Sequence, residues 1–213
     1  MRRRTHPAPR HTRASHNGRA TRRGLPTRRG LALACVLGGI VLAAVPRPAM
    51  AQTMQTDWQA KWANARAYTL AVADAMPDSL YAWRPDYPAN GDAAGEPRAA
   101  RTFGEQLVHL ARNVKWLSAS KLRDGETPPP PAVDAADKAA VRAYVEQAFD
   151  SGAEALAQLT FAELDREVDW FGGTRLTRRR VGLLLFDHVT HHRAQAIVYL
   201  RLRGLPAPRY VGW

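Results

Sequence analysis

Four segments of this chain place apolar residues at three- and four-residue steps, and nowhere do apolar and polar residues alternate as a half-buried strand requires. That pattern confines the chain to an all-α fold. The first segment, 54–76, puts Trp58, Trp62, Ala65, Tyr68, Thr69, Val72 and Met76 on one face, and Pro77 closes it. The second opens at Thr102, where Thr102-x-x-Glu105 reads as a capping box. Its stripe of Phe103, Leu107, Leu110, Val114 and Leu117 runs on to Leu122. The third, 134–159, turns Val141, Tyr144, Val145, Phe149 and Leu156 inward. The fourth, 177–203, stops at Gly204, with Pro206 and Pro208 beyond it. The connectors are irregular. Residues 77–101 are loop-like, with Leu80, Tyr81 and Trp83 expected to pack back on the helices. The proline run 128–131 makes 123–133 a stiff, extended link, and 160–176 turns at Gly172-Gly173. Four long helices joined in this way read as a four-helix bundle.

The formal charge of +12 suggests a nucleic-acid partner, but its distribution argues otherwise. Residues 1–51 hold 11 of the 31 Lys and Arg and none of the 19 Asp and Glu, which leaves 20 basic against 19 acidic residues in 52–213. A nucleic-acid binder needs a basic face on its folded part. The only local run there is Arg178-Arg179-Arg180, which reads as a solvated helix start. The Arg-rich stretch 1–29, an apolar run from Gly30 to Val45 that is short for a membrane span, and Ala49-x-Ala51 together read as a cleavable export signal. Within it, Thr27-Arg28-Arg29-Gly30-Leu31-Ala32-Leu33 resembles a twin-arginine signal, the ordinary secretory route being the alternative. The expected division is therefore 1–51 as export signal and 52–213 as folded domain, exported to the periplasm or secreted, with no stable membrane span after processing. The single cysteine, Cys35, lies in the apolar run, so the domain has neither disulfides nor thiolate ligands of its own.

Chemistry points to the histidines. Outside the leader these are His109 and the cluster His188, His191, His192. On a helix His188 and His192 stand about 40° apart, one turn along the same face. Val181, Leu184, Gln195 and Tyr199 fall on that side as well, which turns the pair toward the interior. His109 borders the stripe of the second helix, beside Glu105, Asn113 and Trp116. Three imidazoles from two helices suit Zn, Ni, Fe or Cu and leave a coordination position free. His191 is the rival partner for His188, placed at the flank. A structural role for an i, i+4 histidine pair is the plain alternative.

Several stretches carry a resemblance. Residues 101–109 (Arg-Thr-Phe-Gly-Glu-Gln-Leu-Val-His), residues 187–195 (Asp-His-Val-Thr-His-His-Arg-Ala-Gln), the ending Tyr199 to Pro206, and Ala75-Met76-Pro77 leading to Trp83-Arg84-Pro85 are similar to the DinB/YfiT-like superfamily. The resemblance covers most of 55–213. It implies a four-helix bundle with a divalent metal held by three histidines, which fall position by position on His109, His188 and His192. Ala194 stands where the family often has Gly. Members include transferases and isomerases in which the metal activates the thiol of a small cofactor.

The expectation is an exported metal-dependent enzyme of hydrolase or thiol-dependent transferase type, acting on an unidentified small molecule. The alternative is a non-catalytic metal- or ligand-binding module of the cell envelope. The cofactor would be a divalent transition metal, Zn or Ni foremost, then Fe or Mn, and the partners exclude nucleic acid. Glu105 is the nearest candidate base, with capping as its plainer role. Asp187 faces away from the pair, and Asn113, Trp116 and Tyr199 are candidate pocket residues. Exposed Trp58, Trp170 and Trp213 leave room for a homodimer.

Overall fold

The computed structural model describes residues 47–86, 88–89, 98–127 and 129–213. Most of the expected export signal, Cys35 included, lies outside the described residues, as does Pro128 of the proline run. The chain is mostly helical. Its four longer helices are α1 (Arg47–Ala75), α2 (Phe103–Trp116), α3 (Lys138–Ala157) and α5 (Arg178–Leu202); α4 (Phe161–Asp165) is short. Helices α1 and α2 each pack against both α3 and α5. The apolar stripes meet in one core, where Trp62, Met76, Tyr81, Phe103, Leu107, Leu110, Phe149, Leu156, Leu185 and Leu200 are fully buried. Burial of the Trp62 indole leaves no unpaired donor, because its Nε1 donates to the Phe149 carbonyl at 2.8 Å.

Two antiparallel pairings appear where no strands were expected: β1 (Pro88–Ala89) with β2 (Arg98–Ala99), and β3 (Glu167–Asp169) with β4 (Arg175–Thr177). Strands of two or three residues are too short to show an alternating pattern, so only the turn was visible beforehand. Gly172 and Gly173 do turn this hairpin, with φ of 66° and 73°.

The helix ends explain the remaining differences. Helix α1 begins at Arg47, ahead of the expected cleavage point after Ala51. Helix α3 begins four residues later than the sequence suggested. Asp134 caps only a turn, through Ala136 N–H at 2.9 Å, whereas Asp137 Oδ1 accepts from Ala140 N–H at 3.0 Å and caps the helix. Helix α2 passes at Trp116 into a π-helical segment, Leu117–Leu122, where Ser120 Oγ donates to the Trp116 carbonyl at 2.9 Å.

The start of α5 is not solvated as expected. Thr177 caps it, which places Arg178 at the first helical position with 3% of its surface exposed, paired with Glu163 and with Asp124 at 2.5 Å. Arg179 pairs with Asp165 at 2.7 Å, and Arg180 remains exposed. Of the three tryptophans expected on the surface, Trp58 packs edge-on against Phe186, and Trp170 against Trp116 and Phe171. Trp213 alone is largely exposed.

The start of α2 is fixed by close backbone approach. Gly104 N–H donates to the Tyr81 carbonyl at 3.0 Å, and a Cβ added there would land on the Ala135 carbonyl oxygen. Alanine is the better helix former by about 1 kcal/mol, yet backbone cannot move aside as a side chain can. Gly104→Ala is expected to destabilise the protein by about 1–3 kcal/mol, read as a lower urea midpoint with unchanged slope. An unchanged or raised midpoint would contradict this close approach.

Candidate metal centre

The contact of α2 with α5 brings together the three histidines singled out in the sequence. His109 projects from α2, and His188 and His192 project from successive turns of α5. One ligand nitrogen from each lies within 4.8 Å of the others, a cluster that could hold a metal ion. Ring centroids are 4.3 Å apart for His188–His192, 4.5 Å for His109–His192 and 5.5 Å for His109–His188. His192 is buried, while His109 and His188 are half-buried. Leu184, expected on the inner side with them, is 38% exposed. The pair therefore marks the border of the inner face, and Leu185 and Val189 form its centre.

All three rings are held neutral. Burial pushes His109 down to about 4, helped by Arg101, His188 and Arg112. His188 falls to about 4 through burial, His191 and Arg101. Burial and the neighbouring His188, His109 and His191 take His192 to about 3. A metal-ligating imidazole must be unprotonated, so the chemistry of the donor set fits such an ion. A second observation agrees: His188 Nε2 is buried without a hydrogen-bond partner. Native structures rarely leave such an atom orphaned, and a ligand nitrogen is one way to satisfy it.

Sequence reasoning missed the group that orients His192. Gln106, buried one turn before His109, places its side-chain amide 2.7 Å from His192 Nδ1 and in contact with the Gln195 amide, which reaches His191 Nε2 at 3.0 Å. Amide nitrogen and oxygen exchange places when the group is turned over. With Gln106 and Gln195 both turned, His192 Nδ1–H donates to Gln106 Oε1 and the Nε2 lone pair is free for an ion. Metal-bound histidines characteristically donate their second N–H in this way. The available signal was a glutamine inside the apolar stripe of α2. Arg101, which lowers the pKa of all three histidines, was also missed. Tyr199 Oη donates to its carbonyl at 3.0 Å, which ties down that stretch of backbone.

The other candidates separate cleanly. Glu105 closes the capping box: Thr102 N–H donates to Glu105 Oε2 at 2.7 Å, and Glu105 N–H donates to Thr102 Oγ1 at 3.1 Å. Its carboxylate also lies 3.9 Å from Arg84, which leaves it in no position of a base at the triad. Asp187 is exposed, as expected, and His191 is exposed at the flank. Asn113 stays with the site: Nδ2 donates to the His109 carbonyl at 3.0 Å and lies 3.3 and 3.5 Å from the two ring nitrogens.

A family model described as the DinB superfamily matches residues 61–196. Among solved structures, a DinB-like protein from Bacillus cereus is similar over 73% of this chain and 97% of its own, with 22% identity and a TM-score of 0.54. A DinB-like protein from Bacillus subtilis is similar over 72% and 96%, with 21% identity and a TM-score of 0.53. At that identity the likeness is one of fold. No curated protein matches the chain.

Two outcomes follow from the geometry. The folded pKa values of the triad lie below the ordinary 6.5, so between pH 6.5 and about 4 the unfolded chain binds protons that the folded chain excludes. The chelated, metal-free protein should be most stable above pH 6.5 and lose stability steadily as pH falls through that window. His192→Ala should flatten the fall in urea midpoints, and equal slopes for both proteins would contradict burial of neutral rings. Gln106→Leu should weaken zinc binding about 10–100-fold in a chelator competition. Retention of wild-type affinity would show that Gln106 does not orient the ligand.

Proposed function

The chain belongs to the DinB superfamily, and from that premise we propose that it is a metal-dependent enzyme built on a four-helix bundle, with His109, His188 and His192 as the ligands of one divalent ion. The ion is Zn or Ni, with Fe or Mn as the alternatives. The observation that carries this reading is the convergence of three neutral imidazoles, one of them with an orphaned Nε2. Three protein ligands keep a coordination position for water or substrate, where the ion supplies Lewis acidity and lowers the pKa of what binds there.

The chain's own residues do the rest. Gln106 holds the His192 ring and its tautomer, and Asn113 rests against His109. Tyr199 ties down the backbone that carries Arg101. Neither Glu105 nor Asp187 is placed to take a proton from a bound molecule. An incoming thiol or water would therefore give its proton to bulk solvent rather than to either carboxylate. This is compatible with both chemistries proposed for the site, hydrolysis and thiol-dependent group transfer on a small molecule.

The working setting proposed is the periplasm or the exterior, reached by export on the signal 1–51. The near-neutral charge of residues 52–213 supports a small-molecule partner over nucleic acid. Among the described residues no helix is long and apolar enough to cross a membrane. A homodimer is compatible with the exposed Trp213.

Metal content tests the proposal. The full chain, expressed without an affinity tag and purified without chelator, should carry about one first-row metal ion per protein with three ligands of this kind. His188→Ala should lose it while retaining a helical circular-dichroism spectrum. Absence of stoichiometric metal after Zn, Ni, Mn and Fe have each been offered would overturn the metalloenzyme reading. Stoichiometric metal that takes up neither azide nor a thiol would favour the non-catalytic module instead.

A further inference from the structure

A cavity of about 300 Å³ is lined by Asn113, whose amide nitrogen lies 3.3 Å from the His109 ring, though none of the three histidines lines it. On α2, His109, Asn113 and Trp116 succeed one another at four- and three-residue steps, so a single helix face leads from the triad into the cavity. Its walls are Arg112, Lys115, Trp116, Tyr144, Thr127 and the prolines at 129–131. Two features of that lining select a ligand. First, its only charged side chains are cationic, Arg112 and Lys115, and no carboxylate is among them. Second, apart from the polar Asn113 and Thr127, the remainder is made of flat rings: an indole, a phenol and a run of pyrrolidines.

The cations are held over the aromatic wall. Lys115 Nζ stands 5.8 Å from the centre of the Tyr144 ring. Burial raises the Tyr144 hydroxyl pKa and the Arg112 guanidinium opposes it, which places that guanidinium at the phenol. Behind Trp116, Trp170 and Phe171 stack at 5.7 and 5.6 Å and brace the indole.

We infer that this cavity is the substrate-binding site of the centre and takes an organic anion with a flat apolar body, of the aromatic carboxylate type. The anionic group is held by Arg112 and Lys115, and the flat body lies between Trp116, Tyr144 and the proline wall. This names the substrate class of the triad and so rests on the metal reading above. The cavity itself can be tested apart from it.

The probe is naphthoate, with the isosteric neutral naphthamide as its partner, titrated into the full chain and followed by tryptophan fluorescence and calorimetry. In chelated protein, naphthoate should saturate. Naphthamide should bind at least about tenfold more weakly, a difference of about 1.4 kcal/mol. Arg112→Gln/Lys115→Gln should weaken naphthoate by at least the same factor. Arg112 is exposed and Lys115 half-buried, and the arginines of 1–51 are common to every variant, so nonspecific anion binding cancels in the comparison. Trp116→Leu should weaken both probes. Failure of naphthoate to saturate, equal binding of the amide, or an unaffected double variant would overturn the inference.

Zinc stoichiometry is measured on the same samples. In protein that takes up one zinc, tighter naphthoate binding on loading joins the cavity to the triad, and unchanged affinity overturns its assignment as the substrate site. Protein that takes up no zinc sinks the metal reading, and the chelated titration then decides the cavity alone.

Discussion

Everything distinctive about this protein depends on packing three imidazoles between α2 and α5 without charging them. A protonated ring there would lose its hydration and meet other cations or potential cations: Arg101, Arg112 and its own neighbours. The folded state therefore accepts only neutral rings, each presenting one nitrogen lone pair. Close approach of three such rings is poor packing on its own account, since it leaves His188 Nε2 buried and orphaned. An interface with that defect makes physical sense if something else completes it. A divalent ion does so, because it replaces the missing hydrogen bond with a stronger interaction and needs the same neutral donors.

The helices hold this interface by their ends. The capping box and Gly104 fix where α2 begins, and His109 follows about two turns later. At the other helix, Thr177 and the buried Arg178 fix where α5 begins. The Arg178 guanidinium ties that end to Glu163 of α4 and to Asp124, at 2.5 Å, after the π-helical segment. Truncation of Arg178 would leave Asp124 and Glu163 with only the exposed Arg166 as their cation and would remove the buried guanidinium that joins them to the start of α5. The register of His109 against His188 is thus set by polar groups at the helix starts, while the apolar stripes supply most of the attraction.

Much of this was legible in the sequence because periodicity and capping are local. The stripes of α1, α2 and α3 are buried at every position singled out for them except Trp58, which is half-buried, and Thr102 with Glu105 forms the expected box. The i, i+4 spacing of His188 and His192 gave their shared face, and His109, the lone histidine of the second helix, was singled out as the third member, with the resemblance falling on the same three. Illegible features were those decided by distant chain. Arg178 reads as solvent-facing until α4 and Asp124 arrive beside it. Gln106 reads as a polar interruption of a stripe until His192 comes within 2.7 Å across the interface. Leu184 was misplaced by a single 100° step, enough to move a residue from the border of a helix face to solvent. The hairpin of β3 and β4 was invisible because three residues carry no period.

The charge of the site leads one step further. Three neutral histidines contribute nothing to balance a divalent ion, and the charged side chains that act on them, Arg101 and Arg112, are both cationic. The carboxylate nearest in sequence, Glu105, is committed to Thr102 and Arg84. Such a centre carries an excess of positive charge in a partly desolvated place, where Coulomb interactions are weakly screened. It is stabilised most by a ligand that brings negative charge from outside, at the open coordination position or at Arg112 and Lys115 next to it. A carboxylate built into the triad would offset half of the ion's charge and weaken the preference for an anionic ligand. With a divalent ion in place and no such carboxylate, anion binding would bring the site closer to neutrality, which is how occupancy of the proposed cavity would couple to the triad.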